Sequence, residues 1–335
     1  MSCGPNALNR IAGAALLIGC LSARADAAAE PPSLPRWDHI VVVVEENKDY
    51  EQIIGNKDAP YLNQLAAEGV NLTQMYAEEH PSEGNYFFLF AGDDLGVGFY
   101  DEVPIGKFDA PNLGARLIAK GLSFKGYAEG LPEIGADVNR SPAGCGSDCL
   151  YGRKHVPWIS FSNVPNGGTV DTSSNLRFAD FPADYDRLPT VAIVVPDLEH
   201  DMHNGAPRDS VPKGDAWLRA NLDAYYQWAK AHNSLLVVTF DENADRTGLR
   251  GPTDPAVEPD HDPSRQDRQN RIPTILAGAH VKPGFEERQG LTHVNLLRTI
   301  EAVYGLPKSG AQAPAAVHAG IGDDRIVADA FAIAR

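Results

Sequence analysis

The chain has 335 residues, with 45 Asp and Glu against 29 Lys and Arg and a formal net charge of −16. That length suffices for one large α/β domain or two smaller ones. The acidic balance argues against nucleic acid or an anionic membrane as an electrostatic partner, although a bound cation can invert the local field for an anionic substrate.

Residues 1–27 read as a signal peptide. Arg10 supplies the positive charge, residues 11–21 are apolar but too short to span a bilayer, and Ala25-Asp26-Ala27 is a small-x-small cleavage site. Leu17-Ile18-Gly19-Cys20 also resembles a bacterial lipobox with Cys20 as the lipidated residue. Plain export, to the periplasm or beyond, is the preferred expectation because so short a pattern is easily matched by chance. Residues 28–335 are expected as a single domain. No other segment is apolar over a membrane-spanning length, so a soluble mature protein is expected.

The run 40–44 is five consecutive β-branched residues, which suits a strand buried on both faces. It stops at Glu45-Glu46-Asn47, just past the strand's C-terminal end, where open α/β sheets bind ligands. Pro60 opens a helix over 61–68 that Gly69 ends. Residues 71–77 alternate as a strand, then Glu79-His-Pro-Ser-Glu-Gly-Asn85 reads as a polar turn before an apolar helix over 86–91. A serine at a helix start, here Ser82, is ordinarily a cap. The same position sets its hydroxyl among free N–H groups at the positive helix end, which suits a nucleophile attacking an anion.

Residues 93–110 look irregular, 112–120 helical with Gly121 beyond, and 123–128 a strand. Residues 130–187, rich in Gly, Pro, Ser and Asp, are expected as an insertion over the sheet. It carries the basic patch Arg153-Lys154-His155 and the pair Cys145 and Cys149. Two cysteines with no second pair nearby, in an exported chain, read as a disulfide and not as a metal site. The strand 190–195 exits into a polar stretch holding His200 and His203, a helix spans 214–231, and the strand 235–240 empties into Asp241-Glu242-Asn243. A charged loop over 244–270 contains His261, a last strand covers 272–277, and Thr292 caps a helix over 293–304 with Gly305 past its end. Strands alternating with helices give an α/β fold, a mainly parallel sheet sandwiched between helices.

Two buried strands that both deliver carboxylates can converge on one divalent cation, and oxygen donors without cysteine suit Ca, Mg, Mn or Zn. A metal beside Ser82 would lower the hydroxyl's pKa. Histidines nearby, from among His155, His200, His203 and His261, could stabilise a transferring phosphoryl group and protonate the leaving oxygen. Each histidine alone is more often a hydrogen-bonded or surface residue, the reading kept for His80, His232 and His318.

The ordered set Val41-Val-Val-Val-Glu-Glu-Asn47, His80-Pro-Ser82 with Asn85-Tyr86, Lys154-His155-x-Pro157, Asp201-Met-His203, Thr239-Phe-Asp-Glu-Asn243 and Arg271-Ile-Pro-Thr-Ile-Leu276 resembles the bacterial phosphoesterase family. That family includes acid phosphatases and phospholipases C on a fold similar to alkaline phosphatase. The resemblance covers residues 37–306. It implies that Glu46, Asn47, Asp241 and Glu242 bind a metal and that Ser82, itself a ligand, is the nucleophile. It implies that His155 and His203 contact phosphate or act as the acid, that Asn85 helps to bind substrate, and that His200 is a further catalytic candidate. The chain departs from the family at Glu83-Gly84, where relatives often carry an apolar residue and proline. A carboxylate next to the nucleophile could repel a phosphate dianion, so Glu83 leaves the preferred substrate open.

The expected activity is therefore a secreted, metal-dependent phosphomonoesterase of acid phosphatase type, acting on small phosphate esters through a phosphoserine. A phospholipase C or other phosphodiesterase is the alternative among enzymes. From another class, a periplasmic solute-binding protein would need neither a serine poised at a helix start nor converging carboxylates. Metal identity, natural substrate, pH optimum and oligomeric state stay open.

Overall fold

The computed structural model describes residues 34–97, 103–244 and 270–332, together with Met1. The expected signal segment, with Cys20, and His261 lie outside the described residues. Twelve strands are present among the described residues: β1 (His39–Glu45), β2 (Val70–Leu72), β3 (Met75–Tyr76), β4 (Phe124–Ala128), β5 (Arg140–Ser141), β6 (Tyr151–Gly152), β7 (Asn175–Arg177), β8 (Val191–Val195), β9 (Ser234–Phe240), β10 (Thr274–Gly278), β11 (Phe285–Glu287) and β12 (Leu291–Thr292). The α-helices are α1 (Tyr50–Ile53), α2 (Pro60–Glu68), α3 (Ser82–Ala91), α4 (Leu113–Ala119), α5 (Pro207–Ala229), α6 (His293–Tyr304) and α7 (Pro314–His318).

Eight strands form the main sheet in the order β11-β2-β10-β9-β1-β8-β4-β7. From β9 to β7 all neighbours are parallel, and only β10 runs against its neighbours. Helices α1, α2 and α5 pack together over one face, and α3, α4 and α6 over the other. This is the mainly parallel α/β/α sandwich expected from the sequence. Double coverage is why residues 40–44 are all buried, each worth roughly 2 kcal/mol as an upper bound. Residues Ser33–Arg335 form one compact unit.

The structure departs from the sequence expectations at element starts. The strand over 71–77 breaks in two because Thr73 donates its backbone N–H and its hydroxyl to the Glu287 carbonyl, which turns the chain between β2 and β3. Helix α5 begins at Pro207 and runs through Gly214. A β-carbon at Gly214 would lie 2.5 Å from the Met202 side chain and 2.7 Å from the His200 carbonyl, so this glycine lets the loop after β8 rest on the helix. Helix α3 begins at Ser82 itself, with Pro81 at the cap position.

The segment 130–187 does more than lie over the sheet. It supplies the edge strand β7, and a 3-10 turn, Pro157–Ser160, carries Trp158 onto β4. The indole takes the space that a side chain at Gly126 would fill, and its Nε1 donates to Asn175 Oδ1 at 3.0 Å. That anchor fixes the preceding turn, Arg153–His155, against α3. Cys145 and Cys149 form a disulfide beside the β5–β6 hairpin.

Candidate active site

Because β1 and β9 are parallel neighbours, their C-terminal ends open on the same edge of the sheet. The ladder continues one step beyond them, Asp241 N–H donating to the Glu45 carbonyl at 2.9 Å. Asn47 then takes a left-handed conformation, φ 56°, unusual outside glycine but well tolerated by Asn. The turn aims its backbone N–H at Asp241 Oδ1, 2.9 Å, and its amide Nδ2 at Glu46 Oε2, 2.7 Å. From the other side, Ser82 Oγ donates to the same Glu46 Oε2 at 3.1 Å. Tyr86, four residues further along the same helical face, donates its hydroxyl to Glu46 Oε1 at 2.8 Å. Ser82 does not cap its helix; its hydroxyl is spent on Glu46.

His155 completes the group. Its Nε2 lies 2.9 Å from Glu46 Oε1 and its Nδ1 3.5 Å from Asp201 Oδ2, while its ring stacks on Tyr86 at 5.2 Å. The His203 ring is 5.8 Å from that of His155. Asp201 Oδ1 accepts the His203 N–H at 2.7 Å, across a left-handed Met202. Lys48 ties the two loops together, its Nζ donating to the Glu46, Asn47 and Met202 carbonyls. Behind β9, His293 Nε2 donates to the Phe240 carbonyl at 2.8 Å and Nδ1 meets Glu78 Oε2 at 2.7 Å. Burial opposes charge on His293, yet the Glu78 carboxylate holds its pKa above the usual value.

Glu46, Ser82, His155, Asp201 and Asp241 are all buried, whereas Asn47 and His203 are half-buried and mark the open side. Burial, and next the Glu46 charge, pushes the Asp241 carboxyl up to about 7. The same two causes raise Asp201 well above the carboxylate range. Burial lowers Lys48. Glu45, missed as anything but a strand end, is fully buried with neither carboxyl oxygen hydrogen-bonded, and desolvation raises its pKa well above the ordinary value.

Several buried like charges with little compensation is the arrangement a divalent cation relieves. Asp241 Oδ2 is buried without any hydrogen-bond partner, so one hard oxygen donor is left unspent beside Glu46 and Asn47. The residues therefore fit a metal. Glu46, His155 and His203 also offer ligand atoms within 4.8 Å of one another, so two donor sets, one of oxygens and one with imidazole nitrogens, share Glu46.

Of the residues expected from the sequence, Glu46, Asn47, Ser82, Asp241, His155 and His203 come together. Glu242 is adjacent but engaged: its Oε2 lies 3.0 Å from His80 Nδ1 and 3.3 Å from Asn85 Nδ2. Asn85 is committed as well, its Oδ1 accepting the Glu78 and Glu79 N–H groups at 3.0 Å each. Its amide thus braces the turn before Ser82. His80, given no role from sequence, is buried between Glu242 and Asn243. His200 is drawn elsewhere, its Nδ1 lying 2.9 Å from Glu129 and 3.0 Å from Asp197, with its ring stacked on Trp217. Glu83 Oε1 accepts the Val103 N–H at 3.1 Å, so this carboxylate serves the neighbouring loop. Sequence reasoning assigned no role to Tyr86, Asp201 or Lys48. The four-residue step from Ser82 to Tyr86 is a signal only once the helix is known to begin at Ser82.

The profile of the Phosphoesterase family matches residues 56–307. The chain belongs to that family. This phosphoesterase is 42% identical over 302 residues to a phosphatidylinositol-3-phosphatase of Mycobacterium tuberculosis, covering 90% of this chain and 88% of that one. It is 28% identical to a probable acid phosphatase of Kluyveromyces lactis, over 80% of this chain and 58% of the relative, so it spans less than two thirds of that protein's length. An acid phosphatase of Aspergillus fumigatus is 25% identical and is spanned over 54% of its length. Among solved structures, a protein in the alkaline phosphatase superfamily from Vibrio parahaemolyticus superposes with a TM-score of 0.56 at 15% identity, over 88% of this chain and 71% of that one. That likeness shows the fold. The phosphoesterase is a hydrolase acting on phosphoric esters. No helix among its described residues is long and apolar enough to cross a membrane.

Proposed function

We propose that this phosphoesterase is an exported, metal-dependent phosphomonoesterase that works through a phosphoserine at Ser82. One observation carries the reading: Ser82 Oγ, at the first position of α3, is not used as a cap and lies 3.1 Å from Glu46 Oε2, in the group that includes the unpartnered Asp241 Oδ2. The helix start gives the site free N–H groups and a positive dipole end for the phosphoryl oxygens.

Glu46, Asn47, Asp241 and Ser82, with Glu242 next in line, are the residues that would hold the cation. When bound, it would offset the buried carboxylates and lower the hydroxyl's pKa. Ser82 Oγ attacks phosphorus and the bond to the alcohol oxygen breaks. Glu46, the acceptor of the Ser82 hydrogen bond, stands where the hydroxyl proton leaves. His203, half-buried on the open side, protonates the departing alkoxide, and His155 holds its ring between Glu46 and Asp201. Water then cleaves the phosphoserine, with His203 as the base. Asn85 acts through the turn it braces and not by touching substrate. The names of the relatives, phosphatases in each case, favour monoesters over diesters. Export rests on the sequence of residues 1–27 and agrees with the Cys145–Cys149 disulfide.

The test is an acid quench during turnover of a labelled phosphomonoester, followed by peptide mapping. Label on the peptide carrying Ser82 is expected. Steady turnover of p-nitrophenyl phosphate with no labelled peptide would assign the nucleophile to water. Faster turnover of bis-p-nitrophenyl phosphate than of the monoester would make the protein a phosphodiesterase.

A further inference from the structure

Strands β3 and β12 pair in parallel, with Leu291 opposite Met75 and Thr292 opposite Tyr76. That register sets Glu78, two residues past β3, beside His293, the first residue of α6. The His293 side chain is 1% exposed and that of Glu78 0%. All four of their polar side-chain atoms are engaged. Glu78 Oε1 accepts the Val294 N–H at 3.0 Å, and Oε2 meets His293 Nδ1 at 2.7 Å. His293 Nε2 donates to the Phe240 carbonyl at 2.8 Å.

A purely structural contact would not need this arrangement. The imidazole faces an oxygen at each nitrogen, buried and at the positive end of a helix, where a charged ring is disfavoured. Nor does α6 depend on the ring to begin, because Thr292 and Asn295 already form a capping box there. What the ring does reach is the candidate active site. Phe240 immediately precedes Asp241, whose Oδ2 is unpartnered. Glu78 leads into the turn before Ser82, and its backbone N–H, like that of Glu79, donates to Asn85 Oδ1. Glu78, His293 and the Phe240 carbonyl thus form a chain from the helix that carries Ser82 to the strand that carries the acidic donors. A buried chain with every member satisfied is rigid.

We infer that His293 is a positioning residue: through Glu78 it holds the end of β9 against the turn before Ser82, so that the Asp241 oxygens and the Ser82 hydroxyl keep one register. The inference rests on the phosphomonoesterase reading and assigns His293 no contact with substrate or cation.

The experiment titrates metal-free protein with Mn²⁺ by calorimetry and measures p-nitrophenyl phosphate turnover at saturating Mn²⁺. His293→Phe fills the space but bonds to neither partner. It should weaken Mn²⁺ binding about tenfold or more, as loss of an outer-shell partner does, and should lower kcat while KM changes little. Glu78→Gln is the conservative variant. Its amide N–H can donate to Nδ1 and its oxygen can accept from Val294, which leaves Nε2 donating to Phe240. It should therefore keep most of the Mn²⁺ affinity that His293→Phe loses. Should His293→Phe fail to fold, His293→Asn, polar but too short to reach β9, carries the same expectation. Parental Mn²⁺ affinity and kcat in a His293 variant whose melting temperature has fallen would overturn the inference and make His293 a packing residue. Equal losses in Glu78→Gln and His293→Phe would also overturn it, because charge and not the bonded chain would then be at work. Unaltered protein that binds Mn²⁺ but leaves p-nitrophenyl phosphate intact would end the phosphomonoesterase reading alone, and the Mn²⁺ affinities would still decide the role of His293.

Discussion

Two groups of carboxylates and histidine that could each hold a metal ion sit at strand ends of one sheet, and they differ in how far their polar atoms are already partnered. In the first, Glu46, Asp241 and His155 are buried around Ser82, and Asp241 Oδ2 is left without a partner. In the second, Glu129, Asp197 and His200 satisfy one another: the His200 ring bridges both carboxylates, Asp197 Oδ1 accepts the Glu199 and His200 N–H groups, and Glu129 Oε2 accepts that of Asp197. His200 is also more than a third exposed. Parallel topology delivers acidic residues to the same edge wherever strands end. What separates a site from a structural knot is polar capacity left unspent in a place water does not reach.

The largest expected effect that sharpens this contrast is at Ser82. On the proposed phosphoserine route, Ser82→Ala should lower kcat about 10⁴-fold or more while the melting temperature stays close to that of the parent, because the proposed nucleophile is removed and no cap is. Near-normal turnover would reduce Ser82 to a helix residue. The next effect compares the two groups directly. Asp241→Asn with Glu242→Gln should abolish bound metal and turnover, whereas Glu129→Gln with Asp197→Asn should leave metal content intact, both read by elemental analysis of purified protein. Metal lost only from the second pair would exchange the roles of the two groups.

A third effect concerns pH. Asp241 titrates near 7 in the metal-free fold against an ordinary 3.8, so the folded state holds extra proton between those values. That contribution to stability is fully present below the lower value and is lost as pH rises through the higher one. Metal-free protein should therefore lose stability between about pH 4 and 7. The rise in melting temperature on adding a divalent cation should grow over the same interval, as the ligand ionises. A gain that shrinks with pH, measured by scanning calorimetry, contradicts Asp241 as a ligand. The smallest effect is at Tyr86. Tyr86→Phe removes one hydrogen bond to a carboxylate and should cost about tenfold in kcat/KM, roughly 1.4 kcal/mol. No change would make the hydroxyl a packing feature.

Much of this was legible in the chain. The β-branched run before Glu45 and the apolar run before Asp241 announce buried parallel strands, and α6 runs from the residue after Thr292 to the one before Gly305 as its cap signals require. The separation of His200 from His203 was not legible. They are three residues apart on one strand exit, and the left-handed Met202 between them lies outside any periodicity. The position of Ser82 in its helix was legible only in part. Its neighbours Glu83, Gly84 and Asn85 have loop-like composition, and they enter the helix because Asn85 and Glu83 spend their polar groups on nearby backbone. Committed residues such as Asn85 and Glu242 look identical, in sequence, to residues facing substrate.

Lys48 carries a consequence for how the site changes over evolutionary time. Its ammonium holds carbonyls from both the Asn47 turn and the Met202 turn, so the acidic half and the imidazole half hang from one peg. A shift in either loop is handed to the other, and neither half can wander into a new geometry by small independent steps.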